Sequence, residues 1–417
     1  MRKLSVTVVS ALEPWSMMTD AGAPSLVETL KGYLQAGWKV DYMTCRKRRA
    51  QGGCHEVESD LDFEDLRVQR FELPPPQAAL GGRVQAKVQR LRDFPRAAAD
   101  ALCEYLESKS PDLIYAYEEG AVAAVARLAA KRRLPSPVVN RFQGTILGDR
   151  YANLAHCLRK YESWRALRCR ADLYIMTDDG TFGDRALRHW NQTVTSENLL
   201  FIRNGINKDA FHAKQSREEA LQDLGLASDR LYLLTVSRLA GWKRVDRAIR
   251  LMSIISHRLP NTRLLICGDG EARAELEKLA KALRVVDCVQ FLGSQPQHVV
   301  TKLLSATDVF LSLYDISNCG NPLFEALLSG CCIVTLNNGG TGTVIVDGRN
   351  GRLVSPEHER ELPELVLELL GNARQRALLR HGAREWASRE LLSWEDRMAT
   401  ELQWIESRLH LQRVRSA

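Results

Sequence analysis

Short apolar runs alternate with longer amphipathic stretches along the whole chain. LSVTVVS, KVDYMTC, LRVQRFEL, DLIYAY, PVVNRF and ADLYIMT punctuate the first half; LYLLTVS, TRLLICG, VVDCVQFLG, ATDVFLSL and CCIVTLN punctuate the second. Runs of this length, rich in β-branched residues, fit parallel strands buried on both faces, with helices between them. The pattern predicts an α/β fold in which a doubly wound parallel sheet occurs twice. The break falls near FIRNGINKDAF, residues 201 to 211, where an Asn-Gly turn follows a strand-like run. The domains expected are therefore residues 1–200 and 201–390. The amphipathic tail, about 391–417, is expected to pack back on the first domain.

The chain has 417 residues with 45% hydrophobic side chains, enough for a packed core in each domain. The start, MRKLSVTVVSALEPW, has its apolar run cut short by Glu13 and Pro14 and reads as a first strand rather than a signal peptide. Ten scattered cysteines without CxxC pairs point to reduced thiols, and so to the cytoplasm. No spacing suggests a metal site. A net charge of +7 suits anionic ligands or an anionic membrane surface. Arg83, Lys87, Arg90, Arg92 and Arg96 cluster in one segment, which either lies on lipid at the inner membrane face or is a solvated helical face that Pro95 interrupts. Without interleaved aromatics it is a poor nucleic-acid surface.

Two stretches carry candidate chemistry. In LLTVSRLAGWKRVDRAI a strand runs into a loop holding Arg238 and Lys243, at the sheet edge where doubly wound folds bind ligands. A guanidinium fork and a point charge together suit a diphosphate; a solvated basic loop is the alternative. In DISNCGNPLFEALLSG a glycine turn at Gly320 leads into a helix with Pro322 in its first turn, so that free N–H groups face outward. A phosphate is the natural ligand there. Glu325 would then accept hydrogen bonds from a ribose diol, or else only compensate the helix dipole.

Four pieces in order, VSRLAGWKRVDRAI, LLICGDGEARAELEKLA, VQFLGSQPQHVVTKLLSATDVFLSL and NCGNPLFEALLSGCCIVTLNNGGTGTVIVDGRNGRLV, resemble the donor-binding domain of family 4 retaining glycosyltransferases. The resemblance implies the GT-B fold of two facing Rossmann-like domains that close over the donor. It implies Arg238 and Lys243 on the donor diphosphate and as catalytic cations, the amides of Gly320, Asn321 and Leu323 on phosphates and sugar, and Glu325 on the ribose. The family's first glutamate, eight positions earlier, is here Ser317, with Asp315 nearby as a possible substitute. In the first half, Gly22 would lie beside the phosphates. Tyr117 and Glu118 would stand near the reaction centre as catalytic candidates, and Gln143 would contact acceptor or sugar. Tyr115 reads as packing.

The function expected is retaining transfer of a sugar from a nucleotide diphosphate sugar, UDP-linked by family habit, to a glycan, glycolipid or secondary metabolite. No metal or other cofactor is expected, because fixed cations and helix-start amides would stabilise the leaving diphosphate. A non-catalytic sugar-nucleotide binding subunit is the rival that Ser317 suggests. A dinucleotide oxidoreductase is disfavoured, since VVSALEPW lacks GxGxxG.

Overall fold

The computed structural model describes residues 2–12, 24–45, 64–75, 87–212 and 215–409. The chain divides into two compact units. One comprises Met1–Asp178, Phe182–Asn204 and Trp394–Ala417, the other Asp179–Thr181 and Gly205–Ser393.

The first unit holds β1 (Ser5–Val9), β2 (Lys39–Cys45), β3 (Leu66–Phe71), β4 (Leu113–Tyr117), β5 (Val138–Phe142), β6 (Leu173–Thr177) and β7 (Leu199–Ile202). They form one parallel sheet in the order β3-β2-β1-β4-β5-β6-β7. Every residue of β4, β5 and β6 is buried, because helices cover both faces and their runs are apolar. Arg141 is the exception in kind. It sits fully buried in β5, donates to Asn204 Oδ1 at 3.1 Å, and lies close to the Arg397–Glu401 pair of helix Trp394–Arg408. That helix buries Met398, Leu402 and Ile405 against Leu26, Leu30 and Tyr33, and Tyr115 donates to Glu401 Oε1 at 2.8 Å. Gly32 permits the contact, since a Cβ there would stand 2.6 Å from Met398 Cγ.

The second unit holds β8 (Leu231–Val236), β9 (Thr262–Cys267), β10 (Val289–Gly293), β11 (Val309–Ser312), β12 (Ile333–Leu336) and β13 (Arg352–Val354). Its parallel order is β10-β9-β8-β11-β12-β13. Counted from its own first strand, this is the 3-2-1-4-5-6 order of a dinucleotide-type fold, and the first six strands of the other unit repeat it. The order reverses between β1 and β4 in one unit and between β8 and β11 in the other. Loops leaving the carboxyl ends of those strands part at each reversal and leave a crevice. No described helix is long and apolar enough to cross a membrane.

Candidate functional site

In the second unit the loop after β8 carries Arg238, a short 3-10 turn at Gly241–Lys243, and Arg244, which starts helix Val245–Arg258. Arg244 has φ 49°, a left-handed conformation that costs energy for any residue with a Cβ. Carboxylates hold it there: Asp246 takes its Nε at 2.9 Å and Nη2 at 3.1 Å, and Asp315 its Nη1 at 3.1 Å. Arg247 reaches the same Asp315 oxygen at 2.8 Å. Asp315, in the loop after β11, is therefore engaged in tying the two loops together, which overturns its reading as a stand-in for the missing glutamate. Its amide also donates to Trp242 O at 3.1 Å.

The fixed loop delivers Lys243 into an aromatic cleft, its Nζ 3.8 Å from the Tyr314 ring centroid and 4.1 Å from that of Trp242. Burial pushes its ammonium down to about 8, with the Asp179 carboxylate pulling weakly the other way. Arg238 is exposed and pairs with Glu271 at 3.0 Å. An exposed pair is worth little, so an incoming phosphate competes easily for this guanidinium. Glu271 is placed by two glycines of the neighbouring loop. Cβ atoms at Gly268 and Gly270 would stand 1.9 Å from Ser237 O and 2.5 Å from Leu239 O.

The turn after β11 is built on Asn318, which is fully buried and saturated. Its Oδ1 accepts from Ser312 Oγ at 2.9 Å and Tyr314 N at 3.0 Å, while its Nδ2 donates to Leu336 O at 3.1 Å. The turn delivers Gly320 as the cap of helix Asn321–Leu328. The Leu323 and Phe324 amides both donate to Gly320 O, at 3.0 and 3.2 Å, and Pro322 has no N–H. The Gly320 amide donates to Asn318 O at 2.8 Å, so of the three amides expected to face the donor those of Gly320 and Leu323 are already engaged by the turn, and only that of Asn321 stands at the open end of the helix. Glu325 stands one turn in, near enough to Tyr314 and Cys267 to add to the rise that burial gives both. Its carboxylate is half-buried, and no described residue gives it a hydrogen bond or ion pair. Burial alone raises it to about 7. A buried carboxylate without donors among the described residues is set to receive hydroxyls from a ligand.

Ser317 is buried and its hydroxyl donates to Asp179 O at 2.6 Å. The segment Asp179–Thr181 packs here by close backbone approach: the Gly340 amide donates to Gly180 O at 2.7 Å, and a Cβ on Gly180 would stand 2.4 Å from Ser317 Oγ. A serine fits this contact because it is short. A glutamate at 317 would project into the same segment.

In the first unit Tyr117, Glu118 and Gln143 gather at the carboxyl edge of β4 and β5. Tyr117 is fully buried; its hydroxyl donates to Ser25 Oγ at 2.9 Å and accepts from Gln143 Nε2 at 2.7 Å. Gln143 Oε1 accepts from Thr177 and Asn204, both at 3.3 Å. Glu118 opens helix Glu118–Ala129 at φ 72°, the strained left-handed region, at this unit's own reversal of strand order. Gly22 and Arg83 lie outside the described residues.

Arg238, Lys243, Ser317, Gly320, Asn321, Leu323 and Glu325 thus share one crevice edge, between the loops after β8 and β11. The sequence reading missed Trp242, Tyr314 and Gly180. Trp242 directly precedes the candidate lysine and was a usable signal. The others emerge only when loops distant in sequence are superposed.

Two family models cover most of the chain. The glycosyl transferase 4-like domain matches residues 22–205 and the glycosyl transferases group 1 model matches residues 216–386. A GDP-mannose-dependent alpha-(1-6)-phosphatidylinositol monomannoside mannosyltransferase of Mycolicibacterium smegmatis is 26% identical over 190 residues, 44% of this chain and 50% of that protein. The chain spans about half the length of the curated relatives it matches. Sucrose-phosphate synthase of Thermosynechococcus elongatus superposes with a TM-score of 0.76 at 19% identity, covering 98% of this chain and 99% of that one. The Anabaena protein HepE in complex with UDP and glucose superposes at 0.70 with 18% identity, covering 99% and 100%. The fold is accordingly that of the GT-B glycosyltransferases, each unit being Rossmann-like. With a glycosyl transferase 4-like domain followed by a glycosyl transferases group 1 domain, the chain belongs to the glycosyltransferases that carry this pair.

Proposed function

We propose that the protein transfers a sugar from a nucleotide diphosphate sugar to an acceptor, with retention at the anomeric carbon and UDP as the favoured nucleotide. The observation that carries the reading is the half-buried Glu325 carboxylate, without a hydrogen-bond or ion-pair partner among the described residues, one turn into a helix whose open start follows the loop that Asp315 ties to the Arg238–Arg244 loop. Each group answers a part of the donor: Glu325 a ribose diol, Arg238 and Lys243 the diphosphate, and the Gly320–Asn321 turn the phosphate and sugar oxygens. Negative charge grows on the leaving diphosphate, and donors fixed in advance stabilise it without reorganisation, so the reading calls for no metal. The solved complex of HepE with UDP and glucose supports a uridine donor, whereas the mycobacterial relative is named for GDP-mannose. Glu118 and Tyr117 are assigned to the reacting side. The strained turn presents Glu118, and Tyr117 acts by positioning Ser25 and Gln143. The relative's lipid-linked acceptor and the basic residues Lys87, Arg90, Arg92 and Arg96 support peripheral membrane contact at a cytoplasmic face.

The test is thermal unfolding with UDP, GDP, ADP and a panel of UDP- and GDP-sugars, followed by assay of nucleotide release with the donor that binds. A ligand at about a hundred times its dissociation constant stabilises by about 2.7 kcal/mol. A selective shift with turnover supports transfer, and a shift without turnover over a broad acceptor panel marks a binding subunit. No shift with any nucleoside diphosphate refutes the donor site.

A further inference from the structure

Pro95 is the origin of a second, unrelated feature of the first unit. Lacking an N–H, it cannot donate to Leu91 O four residues back, and its ring would clash with that carbonyl. The chain responds with a wide π turn at Gln89–Asp93 leading directly into helix Phe94–Ser108, so the proline does not end the helix as its position in the sequence suggested. The freed Leu91 carbonyl accepts instead from Arg165 Nη1 at 3.2 Å. Opposite lie Ala123 and Ala126, whose small side chains leave a cavity of about 440 Å³ open to solvent.

Four arginines line this cavity, Arg92, Arg96, Arg127 and Arg165, and no described acidic residue does. Arg92 is partly neutralised by Asp93 at 2.8 Å, and Glu162 borders Arg165. Arg96 and Arg127 form no ion pair among the described residues, although Arg96 also borders a neighbouring cleft that holds Glu72, Asp93, Asp100 and Glu104. The contrast within the same unit is a cavity of about 390 Å³ where Lys39, Arg67 and Lys109 are interspersed with Asp41, Glu64 and Asp65. Convergent guanidiniums that outnumber the acids beside them, one of them anchored by a main-chain carbonyl, match phosphoryl oxygens. The volume is larger than a bare phosphate needs and falls within the range of small-ligand pockets.

We propose that this cavity binds a phosphate ester, its phosphoryl group held by Arg96, Arg127 and Arg165. The same chemistry is offered by an anionic phospholipid headgroup and by a soluble phosphate monoester. The proposal is independent of the donor reading; its lipid outcome would place the basic segment, through Arg92 and Arg96, on a membrane.

The experiment uses the full chain in the Arg238→Ala/Lys243→Ala background, so that phosphate at the candidate donor crevice does not confuse the result. Vesicle co-sedimentation is measured with phosphatidylcholine alone and with phosphatidylglycerol added, and glycerol 3-phosphate is titrated by calorimetry. The pocket variant is Arg96→Glu/Arg127→Glu; the charge-matched control is Lys39→Glu/Lys109→Glu. Binding to phosphatidylglycerol vesicles only, weakened roughly thirtyfold or more in the pocket variant and retained in the control, assigns the site to a lipid headgroup. Glycerol 3-phosphate binding with the same variant pattern and no vesicle binding assigns it to a soluble ester. Equal loss in both variants, or no binding of either probe, overturns the proposal.

Discussion

Replacing Glu325 with glutamine should stabilise the protein while removing its ligand site. The carboxyl is lifted by burial from its ordinary value of 4.5 to about 7. A raised acid pKa means that the folded state prefers the protonated form. The stability this contributes is fully present below pH 4.5 and is lost as pH rises through 7. At about 1.4 kcal/mol per pH unit, the ionised carboxylate costs the folded state up to about 3 kcal/mol at pH 8. Glu325→Gln keeps the shape and removes the charge. It should gain most of that amount at pH 8 and little at pH 5. For a domain of this size each kcal/mol moves the midpoint by roughly 2–4 °C, so scanning fluorimetry at the two pH values resolves the difference. The same variant should lose the stabilisation by UDP that the wild type shows. Such a trade marks a site held in an unfavourable state for the sake of a ligand. An equal effect at pH 5 and pH 8, or a loss of stability at pH 8, would show that the carboxylate is solvated or paired and would refute the reasoning.

Lys243, with its ammonium lowered to about 8, must be charged to hold a diphosphate. UDP affinity by calorimetry should therefore fall above pH 8 by up to about tenfold per pH unit, and Lys243→Arg should flatten the profile. Glu401→Gln leaves Arg141 and Arg397 buried without a counter-charge and should destabilise by roughly 3–5 kcal/mol in thermal unfolding, whereas Arg397→Met/Glu401→Leu should recover most of the loss. Gly268→Ala places a Cβ 1.9 Å from Ser237 O at φ 134°, and should cost more than about 2 kcal/mol and weaken UDP binding by displacing the Arg238 loop.

The alternation of apolar runs with amphipathic stretches was enough to read two doubly wound sheets, because strands buried on both faces must be apolar at nearly every position. The strand-loop-helix junctions after β8 and β11 were equally legible, since glycine, proline and clustered cations have local conformational and electrostatic meanings that need no partner. Hence Arg238, Lys243, Gly320 and Glu325 could be named from the sequence. Their states could not. That Lys243 lies between Trp242 and Tyr314, that Asp315 belongs to two arginines, and that Ser317 receives the segment Asp179–Thr181 depend on loops from distant parts of the chain meeting at one sheet edge. Pro95 makes the same point. By itself it reads as a helix breaker, but a π turn and a guanidinium from another helix absorb the lost hydrogen bond. Local sequence determines what a backbone segment prefers and which chemistry it carries, whereas burial and partnership, which set pKa and availability, belong to the packed structure alone.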